Sequence, residues 1–210
     1  MPSPLAPAVQ ASLDNARSYP EYREFLTALL ATGKTTGPNQ SELYLRIAHL
    51  NQARMDRLDR KVRLTEDFQN LLGGLRNNYL LLVLTEGWCG DAAQIVPVLH
   101  WLENATDNIE LRLALRDENP DLMDHFLTEG GRSIPKVIFL NPITHEVLAD
   151  WGPRPAEAQR MSMEYKHKPA PKEDYETHHK ELHTWYARDK TAATQAELLT
   201  VLKTLEVATD

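Results

Sequence analysis

The sequence predicts an α/β fold in which a mixed central sheet is flanked by helices, with a helical extension before it and a helical insertion ahead of the last helix. Three observations lead there. A strand, a tight turn and a helix follow one another over Tyr79 to Val96. Ile109 to Arg116 alternates apolar and mostly polar residues with the period of a strand. Lys136 to Leu140 and Val147 to Trp151 flank Asn141-Pro142 as the arms of a hairpin would.

In chain order, Met1 to Pro7 is proline-rich and reads as a loose tail. Tyr19-Pro20-Glu21 opens a helix whose inner positions are Tyr22, Phe25, Leu26, Leu29 and Leu30, ending near Gly33. Thr32-Gly33-Lys34-Thr35 has the look of a phosphate-binding loop, but Ala28 stands where such a loop needs glycine, and a helix precedes it instead of a strand. It reads as an inter-helix loop through Gly37-Pro38. Ser41 caps a long helix with Leu43, Tyr44, Ile47, Leu50, Met55 and Leu58 inward and its arginines on a solvated face, the sharper alternative being that Arg54 or Arg57 reaches the cysteine described below. Thr65 caps a shorter helix holding Phe68, Leu71 and Leu72, closed by Gly73-Gly74.

Tyr79 to Leu84 is a continuous apolar run of the kind buried on both faces. It breaks into Thr85-Glu86-Gly87-Trp88-Cys89-Gly90-Asp91, after which Ala92, Ala93, Ile95, Val96, Leu99 and Leu102 supply a helical stripe. Cys89 is thereby placed at a helix N-terminus, whose free N–H groups and positive dipole end favour thiolate and predict an accessible, nucleophilic sulfur. Asn119-Pro120 starts a further helix with Leu122, Met123, Phe126 and Leu127 inward. Residues 155–190 exceed what the sheet needs. There Pro169 and Pro171 divide two helices, and His179 and His183, four apart with His178 adjacent, share a solvated face rather than a metal site. Thr194 to Val207 is the terminal amphipathic helix.

Trp88-Cys89-Gly90-Asp91 after a buried strand resembles the Trp-Cys-Gly-Pro-Cys site of thioredoxins. About forty residues on, Ser133-Ile134-Pro135-Lys136-Val137-Ile138-Phe139 is similar to the cis-proline loop and following strand of that superfamily, and Trp-Cys-Gly-Asp-Ala-Ala-Gln is similar to a bacterial thioredoxin-like group. The resemblance implies a thioredoxin-like domain at 65–210, with residues 1–64 as a tail and helical extension packing on it. It also implies a cis Ile134-Pro135 bond, Ile134 backbone groups that hold an extended substrate, and Trp88 and Gly90 shaping the loop. Asp91, or Glu86, is the candidate proton carrier; Trp151 and Arg154 complete the expected substrate site, as cleft wall and anion partner.

The departures carry as much information. The second cysteine of a thioredoxin is here Ala92, and Cys89 is the only cysteine, so no internal disulfide can form. The buried acid six residues before the first cysteine is Val83. The leading expectation is therefore monothiol thiol–disulfide exchange, with protein or small-molecule thiols and disulfides as partners. No resident cofactor is expected beyond a low-molecular-weight thiol as co-substrate. Its rivals are a thioredoxin-fold peptide- or protein-binding module with an inert Cys89, and an oxidation sensor that links two chains.

Composition narrows the class further. A formal net charge of −7 without a basic block argues against nucleic acid or an anionic membrane surface as partner. The N-terminus lacks the positive and apolar regions of a signal peptide, no segment reaches membrane-span length, and a single free cysteine suits a reducing compartment, so a cytoplasmic location is expected. Oligomeric state has no signature in the sequence.

Overall fold

A computed structural model describes residues 4–208. Four helices come first: α1 (Leu5–Asp14), α2 (Tyr19–Ala31), α3 (Glu42–Lys61) and α4 (Glu66–Leu72). The core then runs β1 (Tyr79–Thr85), α5 (Ala92–Glu103), β2 (Ile109–Leu115), a 3₁₀ turn at Arg116–Glu118, α6 (Pro120–Met123), β3 (Lys136–Leu140) and β4 (Val147–Trp151). Helices α7 (Ala156–His167), α8 (Tyr175–Asp189) and α9 (Ala192–Ala208) complete the chain.

The sheet order is β2-β1-β3-β4, with β1 parallel to β2 and antiparallel to β3, and β3 antiparallel to β4. Every residue of β1 is buried, which fits its continuous apolar run and its central position. Helix α5 makes the parallel connection from β1 to β2, so the turn holding Cys89 lies at the C-terminal end of the central strand. Helices α5 and α9 pack on the sheet and on each other, α4 lies beside α9, and α3 covers α5. Tyr22, Leu26 and Met55 of the extension share one apolar core with β1, α5 and β3.

Hydrogen bonds between distant segments tie the extension and the terminus down. Arg17 and Leu113 exchange backbone bonds of 2.9 and 2.8 Å, which caps part of the outer edge of β2. Glu206 near the end of α9 is buried and accepts from the backbone N–H of Arg76 and Asn77 and from the Tyr79 hydroxyl, at 3.0, 3.3 and 2.7 Å. Burial opposes the Glu206 carboxylate, but these donors outweigh it and hold its pKa below the ordinary value.

The bounds of β3 and β4 coincide with the expected hairpin arms, and α2, α3, α4, α5 and α9 lie where expected. Three expectations are corrected. The proline-rich start, whose first three residues lie outside the described ones, is helical from Leu5. Pro7 is tolerated there because it falls in the first turn, where the N–H has no intrahelical acceptor. The helix after Asn119 lasts one turn, and Leu127 is exposed. In α3, Met55 and Leu58 are buried as expected, but Leu43 and Leu50 are half exposed, and Ala48 and Asn51 are buried in their place. Among the described residues no helix is long and apolar enough to cross a membrane.

Candidate functional site

The turn between β1 and α5 is held from three sides. Its Gly87 N–H donates to Thr36 Oγ1 at 2.9 Å, its Gly87 carbonyl accepts from Asn51 Nδ2 at 3.0 Å, and the buried Glu86 carboxylate accepts the Asp117 N–H at 2.9 Å. Thr36 belongs to the loop that resembled a phosphate-binding motif, and its hydroxyl is spent inside the fold. A Cβ on Gly87 would stand 2.7 Å from Leu26, so the extension packs directly on the turn. The other oxygen of Glu86 is buried with no hydrogen-bond partner among the described residues, and burial pushes the acid above its ordinary pKa.

Cys89 is 7% exposed. Its thiol donates to the Ile134 carbonyl at 3.3 Å and its sulfur accepts the Ala92 N–H at 3.4 Å, so the helix N-terminus does reach it. Burial is nevertheless the larger influence, the Asp91 carboxylate adds to it, and the thiol is pushed up to about 12. The accessible thiolate expected from sequence is thus corrected to a covered, protonated thiol. The Ile134–Pro135 peptide is cis, as are Gly152–Pro153 and Ala170–Pro171.

Asp91 is buried and fully engaged. One oxygen takes Arg154 Nη2 and the other the Tyr186 hydroxyl, both at 2.7 Å. Tyr186 is a dependable donor, since burial and Asp91 push its phenol well above the ordinary value. Through these bonds the Cys89 turn is joined to the loop after β4 and to α8, ninety-five positions away along the chain. The remaining Arg154 donors include Nη1, which reaches Gln159 at 3.0 Å, and a buried Nε with no partner among the described residues.

Helix α8 lies over the turn. A Cβ on Gly90 would come within 2.6 Å of His183 Nε2 and 3.0 Å of His179 Nε2, so glycine is the residue that lets the imidazoles close on the backbone. Gln94 Nε2 lies 3.1 Å from His183 Nδ1, and His183 Nε2 lies 3.0 Å from His179 Nε2. With Gln94 Nε2 donating, His183 carries its proton on Nε2 and passes a hydrogen bond to His179, an arrangement available only to neutral rings. Burial, then the charge of Arg54, then His179 and Arg57 depress His183 to about 2. The solvated histidine face is therefore corrected: His178 is buried and stacked on Tyr165 with ring centroids 4.1 Å apart, and the other two histidines face the cysteine turn. Arg54, hydrogen-bonded to Asn51 at 2.8 Å, supplies the charge that disfavours their protonation. Among the described residues no group of three or more His, Cys, Asp or Glu is placed to hold a metal ion.

A pH prediction follows from the His183 environment. A histidine with a depressed folded pKa binds more protons when unfolded, so stability falls as pH drops below the unfolded value near 6.5. His183 alone should remove about 2 kcal/mol between pH 6.5 and 5. Denaturant titrations across that window, which lies above the range where carboxylates such as Glu206 titrate, should show a slope that His183→Gln reduces, the remainder coming from His178 and His179, which burial also depresses. A flat profile for the unaltered protein would contradict the half-buried neutral pair.

These parts enclose a cleft of about 470 Å³ between α3, the cysteine turn, the Ile134 loop and the α7–α8 insertion. Of the residues expected from sequence, Trp88, Cys89, Gly90, Asp91, Ile134 and Arg154 line it. Pro135 is buried behind the lining, and Trp151 is turned away, its indole donating to Glu197 of α9 at 2.8 Å. Sequence reasoning missed Leu43, Tyr44 and Ile47 of α3, Arg116, Arg132, and Tyr165 and Tyr175 of the insertion. The apolar run at the start of α3 was the available signal, but it reads equally as core.

A family model described as Thioredoxin matches residues 37–167, more than half of the chain. A crystal structure of a protein of unknown function from Pseudomonas aeruginosa is similar over 90% of this chain and 98% of its own, with a TM-score of 0.58 and 19% identity. The crystal structure of an HIV epitope-scaffold is similar over 90% and 99%, with a TM-score of 0.55 and 18% identity. At these identities the likeness shows the fold alone. No curated protein matches the chain.

Proposed function

The chain belongs to the thioredoxin family, and from that premise we propose that it carries out thiol–disulfide exchange through the single thiol of Cys89, on a disulfide that must first bind in the cleft. The observation that carries this reading is the position of the Cys89 sulfur in the cleft wall, between the Ile134 carbonyl and the Ala92 N–H, with no second cysteine in the chain.

Magnitudes decide why binding must come first. A thiol near 12 is ionised at neutral pH in about one molecule in a hundred thousand, against about 3% for an ordinary cysteine. The greater intrinsic nucleophilicity of a basic thiolate recovers part of that deficit and leaves random-collision chemistry about a hundredfold slow. A disulfide held beside the sulfur offsets this readily, since well-oriented partners reach effective molarities of about 10⁵ M or more. In the exchange, the Cys89 sulfur bonds to one sulfur of the disulfide, the disulfide bond breaks, and the departing thiolate takes the Cys89 proton. An external thiol later attacks the mixed disulfide and returns Cys89 to the thiol, because Ala92 cannot do so.

The test is kinetic. Iodoacetamide should alkylate Cys89 about a hundredfold more slowly than a cysteine peptide at neutral pH, with a rate still rising beyond pH 9. A small disulfide should react with saturation and leave an adduct on Cys89, seen by mass spectrometry and removed by added thiol. Rapid alkylation or a rate strictly linear in disulfide concentration would sink the binding-first mechanism. The second reading, a ligand-binding module with an inert thiol, is favoured by the 7% exposure of Cys89. It prevails if no disulfide gives an adduct while Cys89→Ser still binds ligand.

A further inference from the structure

The cleft also indicates what kind of disulfide it admits, an inference that rests on the exchange reading above. We propose that the site is selective for a small disulfide or thiol bearing carboxylate groups and excludes polypeptide disulfides, with Arg116 and Arg154 selecting the charge and the α7–α8 insertion setting the size.

A cleft of about 470 Å³ is in the range that encloses a small molecule, and it is bounded by α3 on one side and by the insertion on the other. A polypeptide would have to pair with Ile134 as an added strand, but Ile134 is 4% exposed and its carbonyl already accepts the Cys89 thiol. Closing the approach further, His179 and His183 sit against Gly90.

Three guanidinium groups, those of Arg116, Arg132 and Arg154, line the cleft against one carboxylate, Asp91, in a protein whose net charge is −7. The histidines contribute no positive charge, being held neutral. Arg132 is spent on a two-pronged pair with Asp124, both bonds 2.7 Å. Arg116 lies over Trp88 at 4.8 Å from the ring centroid; its Nε and Nη2 both reach a single Asp117 oxygen, at 2.8 and 2.7 Å, and its Nη1 donates to the Arg132 carbonyl at 3.2 Å, a longer bond to a neutral acceptor that an incoming carboxylate can replace. Arg154 shares its charge with Asp91 and gives Nη1 to the neutral Gln159, while its Nε–H is buried with no acceptor among the described residues, so its charge is only partly offset at the cleft. A planar, two-pronged donor is the side chain suited to a carboxylate. Trp88 and Tyr44, with ring centroids 5.3 Å apart, give the same region an aromatic wall against which the body of the ligand can lie.

The experiment separates this proposal from the exchange reading by using the full-length Cys89→Ser protein, in which binding is measured without chemistry. Dithiobis(nitrobenzoate), an aromatic disulfide with two carboxylates, and dithiodipyridine, a neutral one, are titrated by calorimetry. The dicarboxylate should bind about tenfold or more tightly than the neutral probe, and Arg116→Gln should narrow that ratio by lowering dicarboxylate affinity more than neutral-probe affinity. Arg154→Gln in the same background is the second variant, with near-ultraviolet circular dichroism checking that its cleft is formed. Equal affinity for the two probes, or no binding of the dicarboxylate, overturns the charge selection. Size is tested with unaltered protein, which should form its Cys89 adduct with the small disulfide at least about a hundredfold faster than with insulin, a polypeptide disulfide. Comparable rates overturn it. Selective binding without any adduct would refute exchange and leave the charge selection standing, whereas an adduct formed without charge preference would do the reverse.

Discussion

Replacing Gly152 by alanine should cost about 3–5 kcal/mol of folding stability, the largest loss expected from any methyl-sized change in this chain. Two effects add. Gly152 has φ of +119°, a backbone conformation costly for any residue with a side chain, and its added Cβ would stand 2.4 Å from the Pro135 carbonyl oxygen. That oxygen belongs to backbone, so no rotamer change relieves the clash. Either the proline loop or the segment leading to Arg154 must shift, and each forms one wall of the cleft. Chemical denaturation of the variant measures the cost. A loss under about 1 kcal/mol would show that the two walls are not rigidly apposed, against the close approach seen here.

Changes at Asp91 should move stability and reactivity in opposite directions. Asp91→Ala strands the Arg154 charge and the buried Tyr186 hydroxyl, at an expected cost of about 3 kcal/mol. Asp91→Asn keeps the shape, costs less, and removes a negative charge that holds the Cys89 thiol up, while Arg154 retains the positive charge that holds it down. Alkylation of Cys89 at pH 8 should therefore quicken by about tenfold in the Asn variant. The sign discriminates between roles. If Asp91 were the proton carrier expected from its place in the motif, the same substitution would slow the thiol, and iodoacetamide kinetics on the two proteins decide the matter.

What was legible in the sequence was local. The β1 run, the cysteine turn and the hairpin arms announce themselves because a strand buried on both faces must be apolar at every position and because turn residues punctuate it. The six cleft residues expected and found lie in short motifs, four of them contiguous. What stayed hidden depends on long-range docking. Nothing adjacent to His179 or His183 marks them as packed against Gly90, since the glycine that admits them is about ninety positions away. The exposed Leu43 and the cleft-lining Tyr44 obey the same helical period as a core stripe, and only the position of the insertion decides which they are. Trp151 misled for the converse reason: the indole hydrogen bond to Glu197 that turns it away comes from a helix not adjacent in sequence.

The buried carboxylate of Glu206 bears on the order in which the molecule is made. Its bonds to Arg76, Asn77 and Tyr79 close loops of about 130 residues, and Gln195 closes another of that size by accepting the Thr65 N–H. Loops so long form slowly, because chain entropy must be surrendered before the contacts can reward it. On a ribosome, β1 emerges with its N-terminal donors waiting for a helix not yet synthesised. The nascent chain therefore leaves the entrance to its central strand uncovered until nearly all of α9 has cleared the exit tunnel.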